Sequence, residues 1–302
     1  MNKERTTYLL MGATAVLWGG GFVASKVVAT NLPLFTSLVL RFCFGLAVLG
    51  PMAWFTERRG LLPRRDRLPA LAFLGLSGLA ANNGFLLLGL KTAPASVGSL
   101  IAGANPMAIA LLAHAILKEQ LVFRQWAGIP ISFAGVMVVL WHGARELGAV
   151  GWRNLFFVAS VLSWALYSVA GRRVMRDISP LIATLWATIF GILWCLPFML
   201  LEAGRGLSSI PWPAWLGLGY LGLFSSGLCF LMWYNSINLI GASRTGVFIN
   251  IVPIAALFFS WLILGEKLTP MHLLGAALVI IGVTVTNYPQ RGMGRARRGG
   301  GL

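Results

Sequence analysis

Apolar residues run along this chain in ten blocks of about twenty, parted by short clusters of charged and turn residues. A helix of that length rises about 30 Å, enough to cross the hydrocarbon core of a bilayer. The blocks predict spans at 7–29, 34–55, 69–90, 95–114, 124–142, 152–171, 179–201, 212–235, 241–264 and 270–287, hence an all-α polytopic membrane protein. Composition agrees: 58% of residues are hydrophobic, 11% are charged and mean hydropathy is +0.80. A soluble domain carries about 25% charged residues. The opening MNKER followed by an apolar run imitates a signal peptide, but the run is too long and lacks a small-residue cleavage site. It is expected to remain as the first span.

The stretch 95–138 returns at 242–285. At a constant offset of +147, 12 of 44 positions are identical, among them Pro106/Pro253, Glu119/Glu266, Gly128/Gly275 and Gly135/Gly282. Apolar helices share Leu and Val by chance, but not a proline, a turn glutamate and two glycines in one register. The chain therefore reads as two copies of one unit, at 1–145 and 150–288, followed by a basic tail at 289–302 with too little apolar content to fold.

Charge sets the orientation. With the N-terminus in the cytoplasm, the cytoplasmic segments hold 17 Lys and Arg, the opposite loops 6, and Arg41 lies within a span. The positive-inside rule then puts both termini inside. Five spans per unit is an odd number, so the second copy enters the membrane inverted. Inverted repeats are the architecture of secondary transporters, with a midplane site between the halves. The net charge of +16 is accounted for by orientation and by attraction to anionic membrane lipid, so no nucleic-acid partner is expected. Cys43, Cys195 and Cys229 lie within apolar spans without metal-ligand spacing and read as small buried hydrophobes.

Within the spans, a few polar and aromatic positions stand out. Most tryptophans lie near span ends, as an interfacial belt requires, whereas Trp18, Trp164 and Trp186 lie deep. Trp18 and Trp164 are paired at +146, either as core packing or as two walls of one cavity. Asn82-Asn83 and Ser225-Ser226 sit at mid-depth and need partners on other helices or in a wet cavity. Ser99, Gly103 and Pro106 share one helical face, as do Gly246, Asn250 and Pro253. These small-polar stripes suit close packing or the lining of a path. Each proline also removes a helix hydrogen bond and marks a break or hinge. Arg41, roughly two turns from the outer surface, reads more readily as snorkelling than as an anion site. Glu119 and Glu266 are expected to cap the helices that follow them.

All eight acidic residues fall in termini, loops or span ends. A proton-driven carrier usually keeps an ionisable relay inside the membrane, so facilitated efflux is a serious option beside proton exchange. No nucleotide-binding loop, zinc-protease motif or catalytic triad spacing occurs, and neither an enzyme activity nor a cofactor or metal is expected.

The residues WGGGFVASK (18–26), NPM (105–107), LKEQL (117–121), IVP (251–253), LGEKLT (264–269) and GAALVIIGV (275–283) resemble the EamA family of the drug/metabolite transporter superfamily. That resemblance implies ten helices in two repeats and export of amino acids, metabolites or toxic compounds. It also implies a central cavity drawn from spans 1, 3, 4, 6, 8 and 9. Carried over by position, this points to Trp18, Asn82, Gly103, Asn105, Trp164, Tyr167, Ser226 and Asn250. Asn105 has Val252 as its counterpart, so a role for it would be asymmetric. The expected function is export of small metabolites, amino acids foremost, by a monomer or homodimer. Efflux of lipophilic cations is the alternative, and a membrane enzyme or lipid-modifying partner is an alternative of a different class.

Overall fold

The computed structural model describes residues 3–57, 60–118, 123–147, 152–202, 210–240, 245 and 248–287. Glu119, Gly246 and the tail lie outside them. Every element among the described residues is helical: α1 (Lys3–Asn31), α2 (Leu34–Thr56), a 3-10 turn (Arg65–Arg67), α3 (Leu68–Leu74), a π-helix (Gly75–Ala81), α4 (Asn82–Leu90), α5 (Ala95–Ala102), α6 (Asn105–Leu117), α7 (Phe123–Leu147), α8 (Leu155–Val174), α9 (Pro180–Glu202), α10 (Trp212–Gly219), a second π-helix (Tyr220–Leu228), α11 (Cys229–Ile240), a 3-10 turn (Phe248–Asn250), α12 (Ile251–Leu264) and α13 (Pro270–Asn287).

Seven helical stretches among the described residues are long and apolar enough to cross a membrane: Arg5–Asn31, Leu34–Thr56, Arg65–Leu90, Ala95–Ile116, Trp152–Val174, Pro180–Glu202 and Trp212–Ile237. The remaining expected spans, 124–142, 241–264 and 270–287, fall on shorter apolar helices, Trp126–Val139, Phe248–Leu264 and Pro270–Gly282. The surface confirms the solvent. On α12, Ile254, Phe258, Trp261 and Leu262 are exposed, while Val252, Ala256 and Ser260 face the bundle. A large apolar outside around a core of small side chains suits lipid, where packing and hydrogen bonding replace the hydrophobic effect.

Glycines set the crossings, and they do so in pairs. A Cβ on Gly135 of α7 would stand 2.8 Å from the Gly275 carbonyl of α13; one on Gly282 would stand 2.7 Å from the Gly128 carbonyl. The repeated glycines of the sequence therefore meet between α7 and α13, Gly135 against Gly275 and Gly282 against Gly128. The π-helices behave alike. A Cβ on Gly75 would meet Phe190 Cβ, the Ala187 carbonyl and the Gly191 nitrogen; one on Gly222 would meet Phe44 Cβ, the Arg41 carbonyl and the Gly45 nitrogen. Gly75 and Gly222 are paired at +147, and the α2 and α9 residues are paired at +146.

The carboxylates follow the same exchange. Glu202, at the end of α9, accepts hydrogen bonds from the Phe35 and Thr36 nitrogens and Thr36 Oγ1 at the start of α2. Glu57, just after α2, accepts one from Ser179 Oγ, just before α9. Glu266 corrects the expectation made for it. It accepts from the Ala95 and Ser96 nitrogens and Ser96 Oγ of α5, not from the helix that follows it. The free N–H groups at a helix start favour a carboxylate from any direction, and the left-handed Gly265 (φ 65°) ends α12 just before Glu266. Ion pairs among the described residues, Arg64–Asp66, Arg67–Asp66 and Arg67–Asp177, lie on exposed side chains and add little stability.

Each proline stands beside an interruption of its span, not at its centre. Pro106 occupies the first turn of α6, and the break lies before it at Gly103-Ala104; Pro253 occupies the first turn of α12, after the 3-10 turn. Proline is tolerated in a first turn because its missing N–H would lack a helical partner there in any case.

Two predictions come from the backbone. Lys118 (φ 58°) ends α6 in the left-handed conformation that Gly265 adopts at the end of α12. Lys118→Gly removes a strain of about 1 kcal/mol and should raise the melting temperature of the detergent-purified protein; an unchanged or lower value refutes the strain. Gly222→Ala drives a Cβ into that of Phe44 and should destabilise by about 1–3 kcal/mol. Gly219→Ala meets nothing within 4 Å and serves as the control; equal melting of the two variants would refute the tight crossing.

Candidate functional site

A cavity opens between the helices, about 680 Å³ with the open solvent at its mouth included. Its walls come from both halves of the chain: Trp18, Phe22 and Ser25 of α1, Arg41 of α2, Asn82 and Asn83 of α4, the break and α6 at Ala102 and Asn105, Ser160 and Trp164 of α8, and Ser225, Phe230, Ile249 and Val252.

One wall is aromatic. Trp18 meets Trp164 edge to face, with ring centroids 5.7 Å apart at 85°. Trp233 closes the cluster at 5.6 Å from Trp18 and 5.9 Å from Trp164, and Phe230 packs on both. Edge and tilted contacts suit ring quadrupoles. Trp18 Nε1 donates to the Ser225 carbonyl at 3.3 Å, a carbonyl of the π-helix, where the regular i→i−4 ladder is broken. The deep pair at +146 thus forms part of one wall.

The opposite chemistry is polar. Asn82 Nδ2 donates to the Ser160 carbonyl and to Ser160 Oγ, each at 2.9 Å, and Ser160 Oγ donates to the Asn82 carbonyl at 2.9 Å. This exchange ties α4 to α8 across the cavity wall. Asn83 instead turns back on its own helix, donating to the Gly78 and Leu79 carbonyls.

Arg41 overturns its expected role. A snorkelling side chain keeps its charged end in water, yet Arg41 is 4% exposed and lines the cavity. Its Nε donates to Ser226 Oγ at 2.7 Å and its Nη2 to Ser225 Oγ at 3.3 Å. α2 crosses the second π-helix closely at Gly45 and Gly222, which brings Arg41 within reach of these hydroxyls.

Four of the expected site residues lie on the cavity: Trp18, Asn82, Asn105 and Trp164. The other four do not. Gly103 is packed so that a Cβ would stand 2.9 Å from Val279 Cγ1 and 3.0 Å from Pro253 Cγ; the helix break, with its tight turn, needs that closeness. Tyr167 is fully buried behind Trp164 and stacked on Tyr234, with centroids 5.2 Å apart at 22°. Ser226 is fully buried and receives Arg41, while its neighbour Ser225 faces the cavity. Asn250 donates to Thr284 of α13 at 3.4 Å, and its neighbours Ile249 and Val252 take the lining positions. Helical period explains both displacements, since a one-residue step turns a side chain by about 100°. Trp186 is not deep: its Nε1 donates to the Leu61 carbonyl in the loop after α2. Lys26 donates to the Leu90 and Ala93 carbonyls at the end of α4 and serves as a cap there.

The helices and their outward apolar faces define a multi-pass membrane protein with a cavity at its centre. The model of the EamA-like transporter family matches residues 5–141 and 151–288, and the chain belongs to that family. It is 32% identical over 288 residues to the uncharacterized transporter YyaM of Bacillus subtilis (strain 168), covering 93% of both chains. It is 28% identical over 290 residues to a protein of Streptantibioticus cattleyicolor named "probable terminal-alkyne amino-acid exporter", covering 94% of this chain and 93% of that one. A crystal structure superposes with a TM-score of 0.68 at 20% identity, over 94% of this chain and 98% of the other, a likeness of fold.

The lining makes a prediction. In a background with Cys43, Cys195 and Cys229 replaced by alanine, Asn105→Cys should react with a small water-soluble thiol reagent and Tyr167→Cys should not. Equal labelling of the two would refute the division between cavity wall and packing.

Proposed function

We propose that the protein is a secondary transporter that exports small metabolites, amino acids foremost, by alternating access of the central cavity. The observation that carries this reading is the cavity itself: aromatic on one wall and small-polar on another, drawn from both halves of the chain. Such a lining suits a small molecule with an apolar body and a polar head. The name of the Streptantibioticus relative supports the amino-acid class.

The architecture in this proposal is two inverted units of five spans, 1–145 and 150–288, with both termini in the cytoplasm of a bacterium and the helices in its inner membrane. The exchanged contacts support it: Gly135 with Gly275 and Gly282 with Gly128, the π-helices on α2 and α9, and Glu57 and Glu202 on opposite helices. Two units related in this way can rock about their shared crossings and expose the cavity to either side in turn. The cavity is lined by a single chain, so a monomer suffices for transport. Lipophilic-cation efflux is disfavoured by Arg41 in the wall, since like charge at a binding site repels.

The test is uptake of labelled amino acids into proteoliposomes holding the purified protein, with and without an imposed pH gradient. Saturable uptake is expected, falling about tenfold or more in Trp164→Ala and Asn105→Ala, which line the cavity, and within about twofold of the parent in Asn250→Ala, which does not. A tenfold change corresponds to about 1.4 kcal/mol of lost binding. Movement of lipophilic cations with no movement of amino acids would overturn the proposal.

A further inference from the structure

We infer that Arg41 is the anchor for a carboxylate on the transported molecule, so that the cavity takes molecules bearing one free carboxylate and an apolar side group. The inference rests on the transporter reading above and specifies what that transporter accepts.

Arg41 carries a charge that the described residues leave uncompensated. Arg41 is 4% exposed. Its Nε and Nη2 meet two serine hydroxyls, which orient the guanidinium without neutralising it. Its Nη1 is buried and finds no partner among the described residues, and no described ion pair involves Arg41. No acidic side chain is among the residues lining the cavity. The carboxylates that could have served are committed elsewhere: Glu57, Glu202 and Glu266 accept hydrogen bonds at helix starts.

A buried charge without a counter-charge costs several kcal/mol, and a buried donor without an acceptor adds to it. A ligand that brings a carboxylate removes both costs at once. The guanidinium suits that group, because its planar fork matches the two carboxylate oxygens better than an ammonium would.

Two further residues of the lining each carry a buried polar atom without a partner among the described residues: Trp164, itself 6% exposed, its Nε1 donor, and Asn105 its Oδ1 acceptor. Donors at Arg41 and Trp164 suit an anion, and the acceptor at Asn105 suits an ammonium. The rings of Trp18 and Phe230, with Leu86 and Phe22, offer the rest of the molecule an apolar surface. An α-amino acid with an apolar side chain satisfies all of these, and a 2-oxo acid or simple carboxylate satisfies the first. The seat also lacks a symmetric copy. At +146, the register that pairs Trp18 with Trp164, Arg41 corresponds to Ala187, so the cavity holds one such anchor.

The test is thermal unfolding of the detergent-purified protein with added L-phenylalanine, L-leucine, their amides, 3-phenylpropionate and sodium chloride, beside vesicle flux of the same labelled amino acids. The carboxylates should stabilise saturably and the amides should not at equal concentration. Arg41→Gln should abolish the effect, and Arg41→Lys, which keeps the charge but loses the fork, should weaken it by about tenfold, the scale of one lost charge-assisted hydrogen bond. Ser226→Asp covers the case in which the Arg41 variants do not fold. It supplies a carboxylate within the chain, so the protein should remain folded but cease to respond.

Amides as effective as acids, an Arg41→Gln or Ser226→Asp protein that responds like the parent, or no stabilisation by any of the carboxylates would each overturn the inference. Saturable stabilisation by chloride, with no further effect of carboxylates, would overturn it in favour of an inorganic-anion site. The two readings fail separately. Arg41-dependent stabilisation without flux keeps the anchor and removes the transporter; flux with an unchanged KM in Arg41→Gln keeps the transporter and removes the anchor.

Discussion

In hydrocarbon, every backbone N–H and C=O must find its partner inside the protein, and this structure is arranged around that constraint. Where a helix is continuous the condition meets itself. It fails at helix starts and irregular turns, and there the chain supplies a partner or a packed surface. The start of α2 takes Glu202, the start of α5 takes Glu266, and Ser179 before α9 meets Glu57. Lys26 takes the carbonyls at the end of α4. The π-helices lie against α2 and α9 through glycines that admit no Cβ, and a carbonyl of the second accepts the Trp18 indole at the cavity edge. Irregular backbone thus occurs where other protein covers it or where it borders the cavity.

Using carboxylates as caps has a chemical consequence. A cap must stand at the end of a helix, so an acidic residue spent there is absent from the middle of the bundle. The described acidic residues whose contacts are resolved serve helix ends or exposed ion pairs. Arg41, the guanidinium brought inside among the described residues, meets hydroxyls rather than a carboxylate. Stability of the frame and polarity of the cavity are therefore two results of one allocation of charge.

Much of the frame was legible in the sequence because its rules are periodic. The length of the apolar runs gave the helices, and the +147 register singled out the glycines and the glutamate that hold them together. The register alone could not say what those residues touch. Glu266 reads locally as a cap for the helix after it, yet its carboxylate reaches a helix 170 residues away. The π-helices left no readable periodicity, although small residues at Gly75, Ser77 and Gly78 and at Gly222, Ser225 and Ser226 were a signal of close approach. The cavity was half legible. Trp18, Asn82, Asn105 and Trp164 were found, while Asn250 and Ser226 missed by one residue, because a linear motif does not fix helix rotation. Arg41 was misjudged for a clearer reason. Two turns from a surface is within reach of a snorkelling chain, and the linear sequence does not show that the hydroxyls of Ser225 and Ser226 are brought against this guanidinium.

The frame and the cavity differ in symmetry, and that difference bears on how such a molecule could work. Crossings repeat faithfully: Gly45 with Gly191, Phe44 with Phe190 and Gly75 with Gly222 fill equivalent contacts. Interchangeable crossings would cost similar energies on either side, as the proposed motion between two openings related by a two-fold axis requires. Of the lining, only the Trp18 and Trp164 pair keeps the repeat. Asn82 has Cys229 as its counterpart, Asn83 has Phe230, Asn105 has Val252 and Arg41 has Ala187. An asymmetric polar set lets a small molecule bind in one orientation, whereas two equivalent seats would compete for its single charged end. Under the transport proposed above, a symmetric shell would supply the movement and an asymmetric lining the selectivity. Under that proposal, substitutions that change what binds belong at mismatched polar positions such as Arg41 and Asn105, and those that change how freely the halves move belong at the matched glycines.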